Sequence, residues 1–383
     1  MIEPRSHFPV MPRTTSARSG RLAILTSGGD SPGMNAAIRA ATLLAIARGW
    51  EVFGVRRGYR GLLEGEISPL GPSDVGGIIR EGGTILGSAR CPEFNRPEVR
   101  AAARERLAEK RIGAVLVIGG NGSLAGAEAL SRPAENGAGG PRVVGVPASI
   151  DNDIGLTGLA IGVDTAMNTI VEACDKISDT AAALDRTFLV EVMGRDCGYL
   201  AMVSAVAAAA DAVLFPEAGR TEAAIVDSVE AAIRRVRARK KRRNRVIVIK
   251  AEGVPISVER LKSLIDARFR DSDGAGMIET RVTVLGHVVR GGRPSAFDRL
   301  LASRLANVGV RALMAGETRK MAAWMLPVHP SPVVATRSAD DPYCWLVDLE
   351  AALEETAHLL DRTSPLVQWR ARVLDEIEGV LTL

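Results

Sequence analysis

The sequence predicts an α/β fold with mainly parallel sheets, on a chain long enough for two domains. Three observations carry that expectation. Short runs rich in Val, Ile and Leu alternate with Ala-rich or polar segments of helical length, as in parallel sheets with crossover helices. Five of the apolar runs end in turns that combine Gly with Asp, Arg, Glu or His. At 383 residues, the chain exceeds the usual size of one domain.

Order begins at Arg21, after a stretch Met1–Gly20 of Pro, Ser, Thr and Arg without periodicity, which reads as a disordered tail and not as a targeting signal. Leu22–Ser27 is a buried-strand pattern that runs into the glycine turn Gly28–Asn35 and a helix over Ala36–Arg48. Backbone N–H groups at such a strand-to-helix turn form a phosphate cradle. Glu51–Tyr59 reads as a strand and turn, Gly82–Phe94 as a glycine-punctuated loop bearing Arg90, and Arg96–Lys110 as a helix. Ala114–Gly120 is a strand opening into a helix from Leu124. Gly120, Gly122 and Ala125 formally match a dinucleotide fingerprint, but the next strand runs into Gly145 and Pro147 without the ribose-binding acid. Arg132–Gly140 is a surface loop, Thr165–Ser178 a helix, and Phe188–Leu200 strand, glycine turn and helix. Asp211–Glu217 and Val246–Gly253 are strands, the latter with Glu252 at its end, and Ala223–Arg239 is a helix. Thr280–Gly292 alternates as a strand and ends in a turn with His287 and Arg290.

Composition narrows the function. Cys91, Cys174, Cys197 and Cys344 have no metal-ligand spacing, which fits a reducing, cytoplasmic compartment. No apolar run approaches the ~20 residues that cross a bilayer, so no membrane partner is expected. Arg234–Arg245 holds nine basic residues in twelve. It reads as a solvated helix end or as an anion site. No aromatic residue interleaves it to stack bases, so nucleic acid is not the expected partner.

The chemistry centres on Val143–Asp153, VVGVPASIDND. A buried strand breaks at Pro147, and Asp151 and Asp153 follow with Ser149 and Asn152 beside them. Such a turn presents side chains at the carboxyl edge of a sheet, where ligands of open α/β sheets bind. One carboxylate can take a proton while the other orients it or holds a metal. Read alone, SIDND also fits a capping turn. Beside several cations and backbone-donor turns, it suits phosphoryl transfer, which is mostly positioning and charge neutralisation.

TSGGDSPGMNAAIR, GGTILGSAR, IGGNGS, SIDND, VEVMGR, KAEG and TRVTVLGHVVRGG occur together, in this order, between Arg21 and Gly316. The combination resembles the 6-phosphofructokinase family of phosphofructokinase A type. The resemblance implies two doubly wound three-layer α/β domains. One, over 21–162 and about 289–339, would bind the donor. The other, over 163–288 and about 340–383, would bind the sugar phosphate. The implied reaction is glycolytic: ATP phosphorylates fructose 6-phosphate at O1 to give fructose 1,6-bisphosphate and ADP, with Mg²⁺. The implied assembly is a homotetramer or homodimer with shared active sites.

Carried over by motif position, Asp151 is the general base, Asp153 its supporting acid near the metal, and Ser149 a contact to sugar and transferring phosphate. Arg195 with Met193 and Gly194 forms the sugar-binding motif, and Glu252, His287 and Arg290 complete the sugar contacts. Arg186 and Arg281 match arginines supplied from a neighbouring subunit. Gly28, Gly29, Arg90, Cys91, Asn121, Gly122 and Ser123 lie on the donor side. The metal is expected at Asn121 and Asp153, although Asn121 stands where the family carries a carboxylate tied to Mg²⁺. Ala148 and Gly122 occupy positions where pyrophosphate-using members tend to carry Lys and Asp, which favours ATP. Ser178 stands where regulated members carry an arginine. The alternatives are pyrophosphate as donor, or a catalytically weak binding subunit motivated by Asn121.

Overall fold

The structure, a computed structural model, describes residues 20–133, 139–238, 245–270, 278–325, 335–338 and 341–377. The tail, most of the Arg132–Gly140 loop and the centre of the basic run lie outside those residues. The chain opens β1 (Arg21–Ser27), α1 (Met34–Ala47), β2 (Glu51–Val55), α2 (Gly58–Glu64), β3 (Ile67–Pro69), α3 (Pro97–Glu109), β4 (Ala114–Gly119), α4 (Asn121–Ser131) and β5 (Arg142–Pro147). It crosses to α5 (Val163–Leu184), β6 (Thr187–Val192), α6 (Tyr199–Ala207), β7 (Ala212–Leu214), α7 (Glu222–Ala238), β8 (Val246–Ala251), α8 (Val258–Arg270) and β9 (Thr280–Val284). It returns through α9 (Ala296–Ala315), β10 (Lys320–Trp324), β11 (Ala335–Arg337), β12 (Cys344–Asp348), α10 (Leu349–Leu360) and α11 (Pro365–Ile377).

Two sheets result. The first runs β11-β12-β10-β5-β4-β1-β2-β3, with the strands β10-β5-β4-β1-β2 parallel and the outer three antiparallel. The second, β7-β8-β6-β9, is wholly parallel. The two-residue strand period divides the first sheet's side chains between its faces. Leu22, Ile24, Leu116 and Ile118 pack with α1 and α9, whereas Ala23, Leu25, Val115 and Val117 join the layer of α2, α3 and α4. Both faces are covered, which explains the near-continuous apolar runs. The core under α2 to α4 continues without a break into the second sheet.

Several expected boundaries move. α4 begins at Asn121 and not Leu124, because Gly120 is extended and the helix starts directly after it, so Asn121–Ser123 form its first turn. α1 begins at Met34, after Gly33 at φ 112°. β7 is cut to Ala212–Leu214 because Pro216 opens a 3-10 turn. β9 stops at Val284, since Leu285 is helical and Gly286 has φ 50°, so His287 and Arg290 sit on a 3-10 turn. The boundary near 340 is displaced as well. β12 pairs antiparallel with β10, and α10 packs on α4, so the chain up to Leu360 belongs with the first sheet. Among the described residues, Arg362 and α11 then reach the second sheet, α11 at Pro216–Ala218.

The crossings after β5 and after β9 are stapled together. Asp298, fully buried in the first turn of α9, accepts the Gly162 and Thr165 N–H groups at 2.8 Å each and the Thr165 hydroxyl at 2.6 Å. Ser295 caps Asp298 N–H, and its hydroxyl donates to Asp164 at 2.6 Å. Two helix N-termini, α5 and α9, thus cap each other and have their otherwise orphaned donors satisfied. No helix among the described residues is long and apolar enough to cross a membrane.

Candidate active site

Three strand ends of the first sheet build one wall of a cleft. At the end of β1, Gly28 has φ 82°, and its carbonyl accepts the Ser88 hydroxyl at 2.5 Å. A Cβ on Gly28 would stand 3.0 Å from Ser123 Oγ, so the β1 turn and the first turn of α4 are in contact. α4 has no side-chain cap, and Ser123 Oγ is buried without a partner. These features suit an anion held on backbone N–H groups at the helix start. Gly122 is exposed, with open space where a Cβ would be. Arg90 is exposed and Cys91 half-buried, its thiol pushed up by burial and then by Glu93.

After β5, the turn holds its two acids differently. Asp153 accepts Ser149 Oγ–H at 2.8 Å on Oδ1 and the Asn121 amide at 2.6 Å on Oδ2. Asp151 Oδ1 is buried with no partner. Asn152, at φ 51°, braces the turn by accepting Ala160 N–H at 3.0 Å and donating to Gly158 O at 3.1 Å. Burial, followed by the negative charge of Asp153, pushes the Asp151 carboxyl up to about 6, while Arg290 opposes the rise and Glu252 and Asp196 add to it. Burial raises Asp153 as well, against the Ser149 and Asn121 hydrogen bonds.

The second sheet supplies the other wall. Gly194 has φ 124°, and a Cβ on Gly253 would lie 1.7 Å from Arg195 O, so the β6 and β8 turns close on each other only through glycine. Met193 is buried, and Arg195, Glu252 and His287 are exposed. Arg290 reaches across to the first wall: its Nη1 donates to Asp30 O at 3.3 Å, and a Cβ on Gly29 would meet it at 2.7 Å. The sequence placed Arg290 with the sugar and Gly29 with the donor; the structure brings them together beside Asp151. Arg186 and Arg281 lie elsewhere, at the amino ends of β6 and β9, and both pair with Glu279.

Both positions expected at the metal also hold hydrogen bonds to each other. Asp153, expected to hold the metal, already accepts a hydrogen bond on each oxygen. Asn121, expected as a weakened metal ligand, is first a donor to Asp153, and its own Oδ1 is buried without a partner. Among the described residues, no group of three His, Cys, Asp or Glu side chains converges as a metal cage. Sequence reasoning missed Asn35, whose amide donates to Glu81 O and Gly82 O while its Oδ1 accepts Ile85 N–H, fixing the Gly82–Arg90 loop. It also missed Tyr59, which stacks on Phe94 and donates to Ser123 O at 2.6 Å. An amide inside the apolar α1 pattern was the available signal for Asn35.

The family model for phosphofructokinase matches residues 21–313. The chain belongs to the phosphofructokinase family. It is 45% identical over 300 residues to the ATP-dependent 6-phosphofructokinase of Staphylococcus epidermidis, covering 78% of this chain and 88% of that one. The ATP-dependent 6-phosphofructokinase of Thermotoga neapolitana is also 45% identical, over 79% of this chain and 89% of its own. Among solved structures, Saccharomyces cerevisiae phosphofructokinase superposes with a TM-score of 0.78 at 32% identity over 92% of this chain. The match spans 47% of that yeast chain, so the likeness is to one portion of a longer polypeptide.

Proposed function

We propose that this protein is an ATP-dependent 6-phosphofructokinase, transferring the terminal phosphoryl group of ATP to O1 of fructose 6-phosphate. The observation that carries the reading is the acid pair at the end of β5. Asp151 has a buried oxygen without a partner, Asp153 is fixed by two hydrogen bonds, and both stand between a backbone phosphate cradle and an arginine-bearing wall. The first sheet holds the donor at Gly28, Gly29, Gly122 and Ser123. The second presents Arg195, Glu252 and His287 to the sugar.

Asp151 accepts the proton of the 1-hydroxyl as the oxygen attacks the transferring phosphorus. Asp153 cannot swing away, because Ser149 and Asn121 hold both its oxygens, and its charge keeps Asp151 basic enough for the transfer. The Arg290 guanidinium faces the transferring phosphate with a fork suited to phosphoryl oxygens. The donor set fits Mg²⁺: Asp151 Oδ1 and Asn121 Oδ1 are buried oxygens without partners, and Mg²⁺ binds through one or two protein oxygens while keeping water. When bound, the ion neutralises charge on the donor phosphates.

Purified protein is assayed with ATP or with pyrophosphate, each with and without Mg²⁺, coupled to bisphosphate detection. Turnover from ATP with Mg²⁺ is expected. Product formed mainly from pyrophosphate, or none from either donor, overturns the reading in favour of the alternative donor or of a binding subunit.

The distance of Arg186 and Arg281 from this cleft supports a homo-oligomer in which each subunit lends them to a neighbour's site. A cytoplasmic location follows from the glycolytic reaction. Mixing Arg281→Ala with Asp151→Asn subunits is expected to restore part of the activity, since some sites are then whole. Verified mixed oligomers that stay inactive rule the sharing out.

A further inference from the structure

We infer that the buried Lys250–Glu191 ion pair is a positioning device for the sugar side of the cleft, an inference that rests on the reading above. Lys250 lies on β8, inside the second sheet, and its side chain is 1% exposed. Glu191 is its register partner on β6. Lys250 Nζ donates to Glu191 Oε2 at 2.8 Å and to Ala251 O at 3.1 Å.

Folding does not call for this pair. Taking an ammonium and a carboxylate out of water costs free energy that their attraction does not reliably offset, and apolar residues of similar volume often stabilise a core as well or better. What the pair does provide is a side-chain link between two strand ends, to which a third is joined by a backbone hydrogen bond. Ala251, whose carbonyl the ammonium holds, precedes Glu252, and Glu252 N–H donates to Val192 O at 2.9 Å. Glu191 precedes the Met193–Arg195 turn by two residues. Its backbone carbonyl accepts Leu285 N–H at 3.0 Å, where the turn bearing His287 and Arg290 begins. One ammonium therefore ties the β8 end to the β6 end, whose backbone at residue 191 is in turn joined to the β9 end. Lys250 is too buried to touch a ligand, so its effect is on the placement of residues that do.

The test compares full-length wild type, Lys250→Met and the double variant Glu191→Leu/Lys250→Met by steady-state kinetics and thermal unfolding. A misplacement of about an ångström at a reacting site costs up to roughly 100-fold. Both variants are expected to raise KM for fructose 6-phosphate at least about tenfold, with KM for ATP within about twofold, in keeping with a loss of positioning on one side only. The double variant is expected to unfold no earlier than wild type. A double variant with wild-type KM for fructose 6-phosphate overturns the inference, and so does one that fails to fold, because the pair would then be a folding element. A destabilised Lys250→Met leaves the decision with the double variant. The wild-type measurement stands apart: without turnover of fructose 6-phosphate by wild type, the functional reading falls first.

Discussion

Asp151→Asn lowers kcat by about 10²–10⁴-fold, the usual contribution of a general base, while the affinity for fructose 6-phosphate changes little. The amide keeps the shape of the carboxyl group and loses only its proton affinity. The pH profile carries the same assignment. A base raised to about 6 is protonated below that pH, so log kcat/KM falls with unit slope on the acid side of pH 6 and levels off above it. Asp153→Asn moves that limb to lower pH, because the charge of Asp153 is one of the groups holding Asp151 up. Stability runs the other way. A buried carboxyl with a raised value favours the folded state while neutral, and that advantage is lost as pH rises through about 6. Asp151→Asn is therefore expected to melt no lower than wild type at pH 8. A kcat unchanged within threefold, measured at saturating substrates, removes Asp151 from the chemistry.

Asp298→Ala destabilises the protein by about 3–5 kcal/mol. The alanine leaves the Gly162 and Thr165 N–H groups buried without an acceptor, and each orphaned group costs about 1–3 kcal/mol. Asp298→Asn is milder, since one amide oxygen still accepts while the NH₂ faces a donor. Urea unfolding reads the effect as a shift in midpoint at constant slope. An alanine variant within 1 kcal/mol of wild type means that water reaches the staple and satisfies it, contrary to its burial.

Much of this was legible in the sequence. The strands β1, β4, β5, β6 and β8 are continuous apolar runs bounded by glycine turns, a signal that survives without tertiary context. The Asp151 and Asp153 turn with Ser149 shows as a buried strand that breaks at Pro147, and Asn121 shows through motif order. What the sequence could not disclose were contacts set by packing between distant segments. Arg290 and Gly29 lie 261 positions apart and meet because the β9 turn folds over the β1 turn. The Asn121 amide looked like a lost charge in one dimension, and in three it is the clamp on Asp153. Strand β12, beyond 340, lacks glycine punctuation, so its return to the first sheet does not show in the sequence. Asp298 gave no motif at all, since a single Asp early in a helix is ordinary at a first turn.

The uninterrupted apolar core beneath α2 to α4 bears on how the molecule can move. Two bodies that meet through a polar, wet interface separate cheaply and swing as units. Here one apolar cluster has members from both sheets, and separating them would expose hydrocarbon to water. Wide hinge opening is therefore disfavoured, and small sliding of packed layers is the expected substrate-driven motion. Entry and exit of sugar and nucleotide must then be managed by exposed arginines and turns at the rim, and unfolding should show both sheets melting in one transition.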